Sequence, residues 1–346
     1  LKPGLVQFTS VRPGISTVAT LKQPGFLEAR TTGTLSATTW LLPDPIDDYR
    51  TFSTRASVGL ERHLGPMVNV GLFYRKGFDF PAPYGDATLP ANVFTAQIGY
   101  LEWLTTIDAR DNVLSPHRGL FAALSLQYAF ASTFVLAGDF GDVRVQPELR
   151  AYLPLASGVT VAVRATVGLL FARNYSPHTP GRRAASDDDP STYDHDTTGD
   201  TPQWRAFFSG GATSNRGYPT RFVGLRDCAP GEIGDGCSQV IGGATLWEAS
   251  LELRFAMGAG VSGALFVDSS DVSRDPLDVR LSYPHVAVGP GLRYMTPFGP
   301  LRVDFGWRVP GLQRLGGEID PRELPPEFNF LVRGPFALHF SIGEAF

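Results

Sequence analysis

Along most of this chain apolar side chains recur at every second position, with polar or charged ones between them. The segment "GVTVAVRATVGLLF" puts Val159, Val161, Val163, Ala165, Val167, Leu169 and Phe171 on one face. Thr160, Ala162, Arg164, Thr166 and Gly168 fall on the other, which is the period of a β-strand. "GPLRVDFGWRVP" sets Leu301, Val303, Phe305 and Trp307 against Arg302, Asp304 and Gly306, and "EASLELRF" sets Leu251, Leu253 and Phe255 against Ser250, Glu252 and Arg254. In a sandwich such a polar face meets bulk water. In a transmembrane barrel it meets the lumen, and the apolar face meets lipid.

Strand length separates the two. Fourteen alternating segments can be marked, near 11–22, 30–42, 50–63, 66–77, 92–105, 118–131, 140–153, 158–172, 203–209, 241–256, 261–269, 281–296, 299–309 and 328–346. Many run past the five or six residues usual in soluble strands. Tilted strands of about 9 to 11 residues are what a bilayer requires. No segment of helical period interrupts them, so one large antiparallel sheet is predicted, and closure into a barrel removes its edges. A soluble sandwich or propeller is the competing reading.

Composition agrees with the barrel. The 346 residues are 43% hydrophobic but only 18% charged, with 24 Phe and 11 Tyr, so the chain is rich in aromatics and poor in charge for a soluble protein. No run approaches the roughly 18 apolar residues of a membrane-spanning helix. The net charge of −4 gives no reason to expect nucleic acid as a partner. The opening "LKPGLVQFTS" lacks a basic start followed by an apolar run, so a trimmed or domain-only chain is expected.

Two motifs narrow the class. The end, "ALHFSIGEAF", alternates Leu338, Phe340, Ile342 and Phe346 against His339, Ser341, Gly343 and Ala345, and it resembles the recognition signal on the last strand of bacterial outer-membrane barrels. "GGATSNRGYPT" holds Arg216, Gly217 and Tyr218 in a glycine-rich stretch, and "ALFVDSS" carries Phe266 and Asp268 on one face. With "WEASLELRF", "TPFGPLRVDFGW" and "DARDNVLSPHRG" in this order, nearly the whole chain resembles the C-terminal barrel of the BamA/TamA superfamily of assembly and translocation proteins. Asn215 stands where an aliphatic residue is common in that family, and Ser270 where a glycine is usual.

The resemblance implies an all-β transmembrane antiparallel barrel over residues 1–346, of about sixteen strands when complete. Upstream strands and periplasmic POTRA domains are then expected before this segment. It also implies a long loop folded into the lumen with Arg216 at its tip. A withdrawn guanidinium needs planar charged acceptors, and the alternation turns Glu252 and Asp268 toward the same lumen. An exposed turn with a solvated Arg216 is the plainer alternative.

The function implied is insertion of outer-membrane proteins or translocation of polypeptide, through a lateral seam between first and last strands. Phe340, Ile342, Gly343 and Phe346 would shape that seam, Gly343 by weakening the last strand. Partners would be outer-membrane lipid and lipopolysaccharide, an unfolded β-barrel client or secreted polypeptide, and periplasmic or lipoprotein accessory subunits. No cofactor or catalytic role is expected. A two-partner-secretion-like transporter, a passive porin and a barrel anchoring a passenger domain are the alternatives.

Other candidate chemistry is weaker. "GAGVSG" at 258–263 matches a dinucleotide fingerprint as a string but joins two strands, so it reads as a hairpin turn. The acidic stretch 186–200, six Asp around His195, reads as a solvated loop rather than a cation site. Cys228 and Cys237, the two cysteines, are expected to form a disulfide in an oxidising compartment, with two free thiols the alternative. The six His are scattered with no catalytic or metal-binding spacing.

Overall fold

The computed structural model describes residues 14–43, 49–85, 89, 93–175, 204–228, 237–240, 242–297, 299–312 and 336–346. The alternating segments become strands β1 (Ile15–Pro24), β2 (Thr31–Pro43), β3 (Tyr49–His63), β4 (Val68–Pro83), β5 (Ala96–Asp108), β6 (Gly119–Ala129), β7 (Asp142–Ala156) and β8 (Val159–Ala172). After a long excursion the wall resumes with β11 (Thr245–Gly258), β12 (Val261–Ser273), β13 (His285–Thr296), β14 (Gly299–Arg308) and β15 (Phe336–Ile342). A separate small hairpin, β9 (Arg226–Cys228) with β10 (Cys237–Val240), belongs to the excursion.

The thirteen wall strands form one sheet in chain order, every neighbouring pair antiparallel, with β8 pairing directly to β11. A soluble sandwich or propeller would divide these strands between sheets, and they are not so divided. No pairing between β1 and β15 is found among the described residues. Thirteen of the fourteen segments marked from the pattern are wall strands. The exception is 203–209, whose described residues take part only in isolated bridges, Phe207 with Gly243 and Ser209 with Val223. Its alternation is real, but its side chains pack against the inside of the wall rather than joining it.

Burial runs opposite to that of a soluble protein. Leu251, Leu253, Leu265, Val267, Leu292, Leu301, Phe305 and Trp307 stand exposed, whereas Glu252, Arg254, Asp268, Arg293, Arg302 and Asp304 between them are buried. In β14 the alternation is unbroken from Leu301 to Arg308. Such a wall is stable only where its outer face meets hydrocarbon and its inner polar face finds partners. No helix among the described residues is long and apolar enough to cross a membrane. "GAGVSG" is a tight hairpin turn between β11 and β12, as its string position suggested.

Candidate functional site: the inward loop and its charge network

The segment from Trp204 to Leu225 folds into the lumen because its own side chains are held there. Arg205 is buried and grips Asp142 at the top of β7, with Nε donating to Oδ2 at 2.9 Å, while Nη1 donates to Gln127. Tyr175 donates to the same carboxylate at 2.6 Å. Burial alone would lower the Arg205 pKa; the paired Asp142 outweighs it and raises the value. Phe207 lies against Gly168, where a Cβ would collide with the ring, and Arg144 sits over its face. A glycine on the lumenal face of β8 thus opens the seat for an aromatic from the loop.

The tip turns tightly on Gly210 and Gly211, both at positive φ (106° and 110°), which side chains adopt only with strain. Gly211 N–H donates to the Tyr218 carbonyl and Tyr218 N–H to that of Asn215, closing the turn that presents Arg216. Asn215, at the position where an aliphatic was expected, is fully buried and donates to Ser270 Oγ at 2.9 Å and to the His285 carbonyl at 2.6 Å. The Ser270 departure therefore matches the Asn215 departure. Each supplies the other's hydrogen-bond partner.

Arg216 is 1% exposed. Its Nε and Nη2 donate to the two oxygens of Asp268 at 2.8 and 2.9 Å, a bidentate pair, and its backbone N–H adds a third bond at 3.0 Å. Nη1 reaches Glu252 at 2.5 Å, and Asp304 stands 3.8 Å away. The guanidinium lies 3.6 Å from the centroid of Phe266, so the ring covers the face that the carboxylates leave open. Burial alone would lower the Arg216 pKa; its bonds to Asp268 and the charges of Asp268, Glu252 and Asp304 outweigh this and hold it above its ordinary value. It stays cationic at any accessible pH.

Space for the tip is made by small residues on the wall. A Cβ at Gly306 would strike the Arg216 carbonyl, and one at Gly217 would strike the Ala287 methyl. Tyr218 is buried beside His285 with Arg308 over its ring, and Arg308 Nε donates to the Gly217 carbonyl at 2.7 Å. Arg164 Nη1 donates to the Thr213 carbonyl at 3.1 Å while bridging Glu148 and Glu248. Arg302 donates to the Ala212 carbonyl at 2.6 Å. The loop tip is held from β8, β11, β12, β13 and β14 together.

Glu252 extends the network past the loop. Arg254 and Arg293 join it at 2.6 and 2.8 Å, and the same two arginines lie 3.4 Å from Glu344, just beyond β15. Arg216, Arg254, Arg293 and Arg302 thus meet Glu252, Asp268, Asp304 and Glu344, a cluster in balance at neutral pH. Arg254, Arg293, Arg302, Asp304 and Glu344 were not picked out as site residues from the sequence. Their signal was present for the strand members, since period two puts Arg254, Arg302 and Asp304 on the same face as Glu252.

Three expectations need correction or remain outside view. Phe340 and Ile342 do face outward from β15, but Phe346 does not continue that row. The strand ends at Ile342, Gly343 takes a positive φ of 98°, and residues 343–346 turn inward. Phe346 is buried with Ala345 against Tyr152 and Ala162, and Tyr152 Oη donates to its carbonyl at 3.0 Å. An aromatic there escapes solvent by entering the lumen, under Arg254, rather than by facing lipid. The backbones of Cys228 and Cys237 are directly opposite in the β9–β10 ladder. Their side chains lie outside the described residues, and the expected disulfide is not supported. The acidic stretch 186–200 also lies outside the described residues.

An antiparallel wall with lipid-ready outer positions, a polar lumen and an inward loop pinned by a buried arginine defines a transmembrane β-barrel with a loop-occupied interior. Residues 23–346 match the model of the Omp85 superfamily domain, and the chain belongs to that superfamily. Among solved structures it is similar to BamA from Haemophilus ducreyi lacking POTRA domains 1–3, at 16% identity and a TM-score of 0.64. That match covers 86% of this chain and 59% of the BamA chain. It is also similar to CdiB from Acinetobacter baumannii, at 13% identity and a TM-score of 0.50, covering 86% of this chain and 47% of the other. The chain therefore spans about three-fifths of one relative and under half of the other, and at these identities the likeness is one of fold.

Proposed function

We propose that this chain is the membrane-embedded barrel of a bacterial outer-membrane factor that inserts β-barrel proteins or passes polypeptide across the membrane. The observation that carries the reading is the buried Arg216 clamp in a chain of this superfamily. A loop held inside the lumen by five strands narrows the passage that a wide passive pore would leave open. An anchor for a passenger has no use for a network that joins that loop to the end of the last strand.

The mechanism proposed requires no catalytic residue. A client strand adds to an exposed sheet edge by backbone hydrogen bonds, the mode known as β-augmentation. Two features favour a seam at the ends of this sheet. Among the described residues β15 pairs with β14 over seven positions, from Leu301–Ile342 to Trp307–Phe336, and the chain turns away at Gly343, whose N–H donates the last rung to the Pro300 carbonyl. All ten residues of β1 are exposed, and among the described residues that strand pairs only with β2. Client or secreted polypeptide, outer-membrane lipid, lipopolysaccharide, and periplasmic or lipoprotein subunits are the proposed partners.

Depletion in the host is the test. Loss of correctly inserted outer-membrane barrels supports insertion, and loss of one secreted polypeptide with barrels intact supports translocation. Normal levels of both would sink the proposal.

A further inference from the structure

We propose that residues 130–139, within the connection from β6 to β7, form a membrane-facing element that seats Phe134, Val135 and Leu136 among lipid acyl chains. This rests on the reading of the wall as membrane-spanning. Loops at a barrel rim ordinarily rise into water or turn into the lumen. This one bends over the outside of the wall.

Its position follows from parity. Along β4 the outward series is Leu72, Tyr74, Lys76, Phe78 and Phe80, because Phe73, Gly77 and Asp79 between them are buried toward the lumen. The Tyr74 hydroxyl donates to the Leu136 carbonyl at 2.6 Å, and Lys76 Nζ donates to the Ala137 carbonyl and to Gln97 Oε1. On β5, Gly99 is outward, in series with Leu101 and Trp103, and a Cβ there would collide with the Leu136 carbonyl. The rings of Tyr74 and Phe130 stack at 6.5 Å. The segment thus lies flat on the lipid side of β4 and β5.

It is also built to stay there. Phe130 N–H donates to the Gly99 carbonyl and Asp139 N–H to the Gln97 carbonyl, while Gln97 N–H donates to Asp139 Oδ2 at 2.8 Å. Ser132 N–H to Gly138 and Ala137 N–H to Phe134 close the loop on itself. The backbone N–H groups of Phe130, Ser132, Phe134, Ala137, Gly138 and Asp139 thus have partners in the loop or on β5, which lowers the cost of laying this segment against hydrocarbon. Lys76, an ammonium in an otherwise apolar outward row, receives carbonyl and amide oxygens that lipid could not offer. The largest exposed side chains of the loop are apolar, Phe134 at 64% and Val135 at 80%, with the smaller Ser132 and Thr133 and the Gln97-bound Asp139 exposed beside them. Phe134 and Val135 continue the exposed belt of Leu72, Phe78, Leu101 and Trp103, and the occupant that fits the rest of the belt is lipid.

The test uses the whole chain with Cys228 and Cys237 changed to Ser, carrying Val135→Cys labelled with an environment-sensitive fluorophore. It is refolded into phosphatidylcholine vesicles with or without nitroxide-bearing acyl chains. Leu101→Cys serves as the wall reference and His117→Cys, exposed in the β5–β6 turn, as the water reference. Heat-modifiable gel mobility reports that each variant is a folded barrel. The Val135 label is expected to lose fluorescence to the nitroxide lipid as much as the Leu101 label does, and to resist aqueous iodide. Iodide quenching like that at His117, or shielding from both quenchers, overturns the proposal. If the Leu101 label also escapes the nitroxide, the membrane reading itself fails.

Discussion

At the scale of single residues, the chemistry concentrates on Arg216. Two of its receivers, Glu252 and Asp268, could be named from the sequence because strand alternation fixes which face a side chain takes, whatever the details of the fold. Asp304 and Arg293 complete the site, but which strand comes to lie near the loop tip depends on loop path, and no local pattern encodes that. Arg216→Ala would leave Glu252 and Asp268 without this cation, and truncating one member of a desolvated pair costs about 3 to 5 kcal/mol. Lumenal water and the nearby Arg254 and Arg293 reduce that figure. The expected outcome is a folded barrel whose residues 209–224 become open to protease. Unchanged protease resistance would mean that the remaining anchors, among them Asn215 and the bonds from Arg164, Arg302 and Arg308 to the loop carbonyls, suffice without it.

Elements show where the pattern misleads. The period of two in 203–209 is that of a strand, and only the packing of Phe207 and Arg205 against the inner wall makes it an inward loop instead. Period reports two faces, not what each face meets. The tail shows the same limit, since Phe346 falls on the outward parity but the chain turns at Gly343 before reaching it. Two substitutions test these placements. Gly306→Val puts branched carbon where the Arg216 carbonyl now sits, so it should displace the loop tip as Arg216→Ala does, with every charge retained. Protease exposure of 209–224 in that variant is the readout. Tyr152→Phe removes the one side-chain hydrogen bond described to the Phe346 carbonyl, a loss of about 1 kcal/mol. Hydrogen exchange in 343–346 should rise while the β14–β15 ladder keeps its protection. Equal protection in the tail of both proteins would show that burial of the Phe346 ring and the Glu344 ion pairs hold it unaided.

For the whole molecule, the consequence is a barrel interior divided by its own loop. The tip is fastened to β8 and β11 through β14, while the β2 to β4 wall is left facing a cavity of about 260 Å³. That cavity is lined by Trp40, Tyr49, Arg55 and Asp79 from the wall and by Trp204 and Arg221 from the loop. The loop beside this cavity is held by a network centred on the Arg216 guanidinium. In planar bilayers the unaltered chain should give a small conductance, because the clamp keeps the loop in one position. Arg216→Ala should give a larger and fluctuating conductance, because the loop then samples several positions while the strand ladder preserves the wall. Arg216→Lys should fall between them, since an ammonium keeps the charge but cannot reproduce the bidentate fit to Asp268. A large, steady conductance shared by all three would mean that the loop does not occlude the lumen, and would favour a passive pore over an insertion or translocation factor.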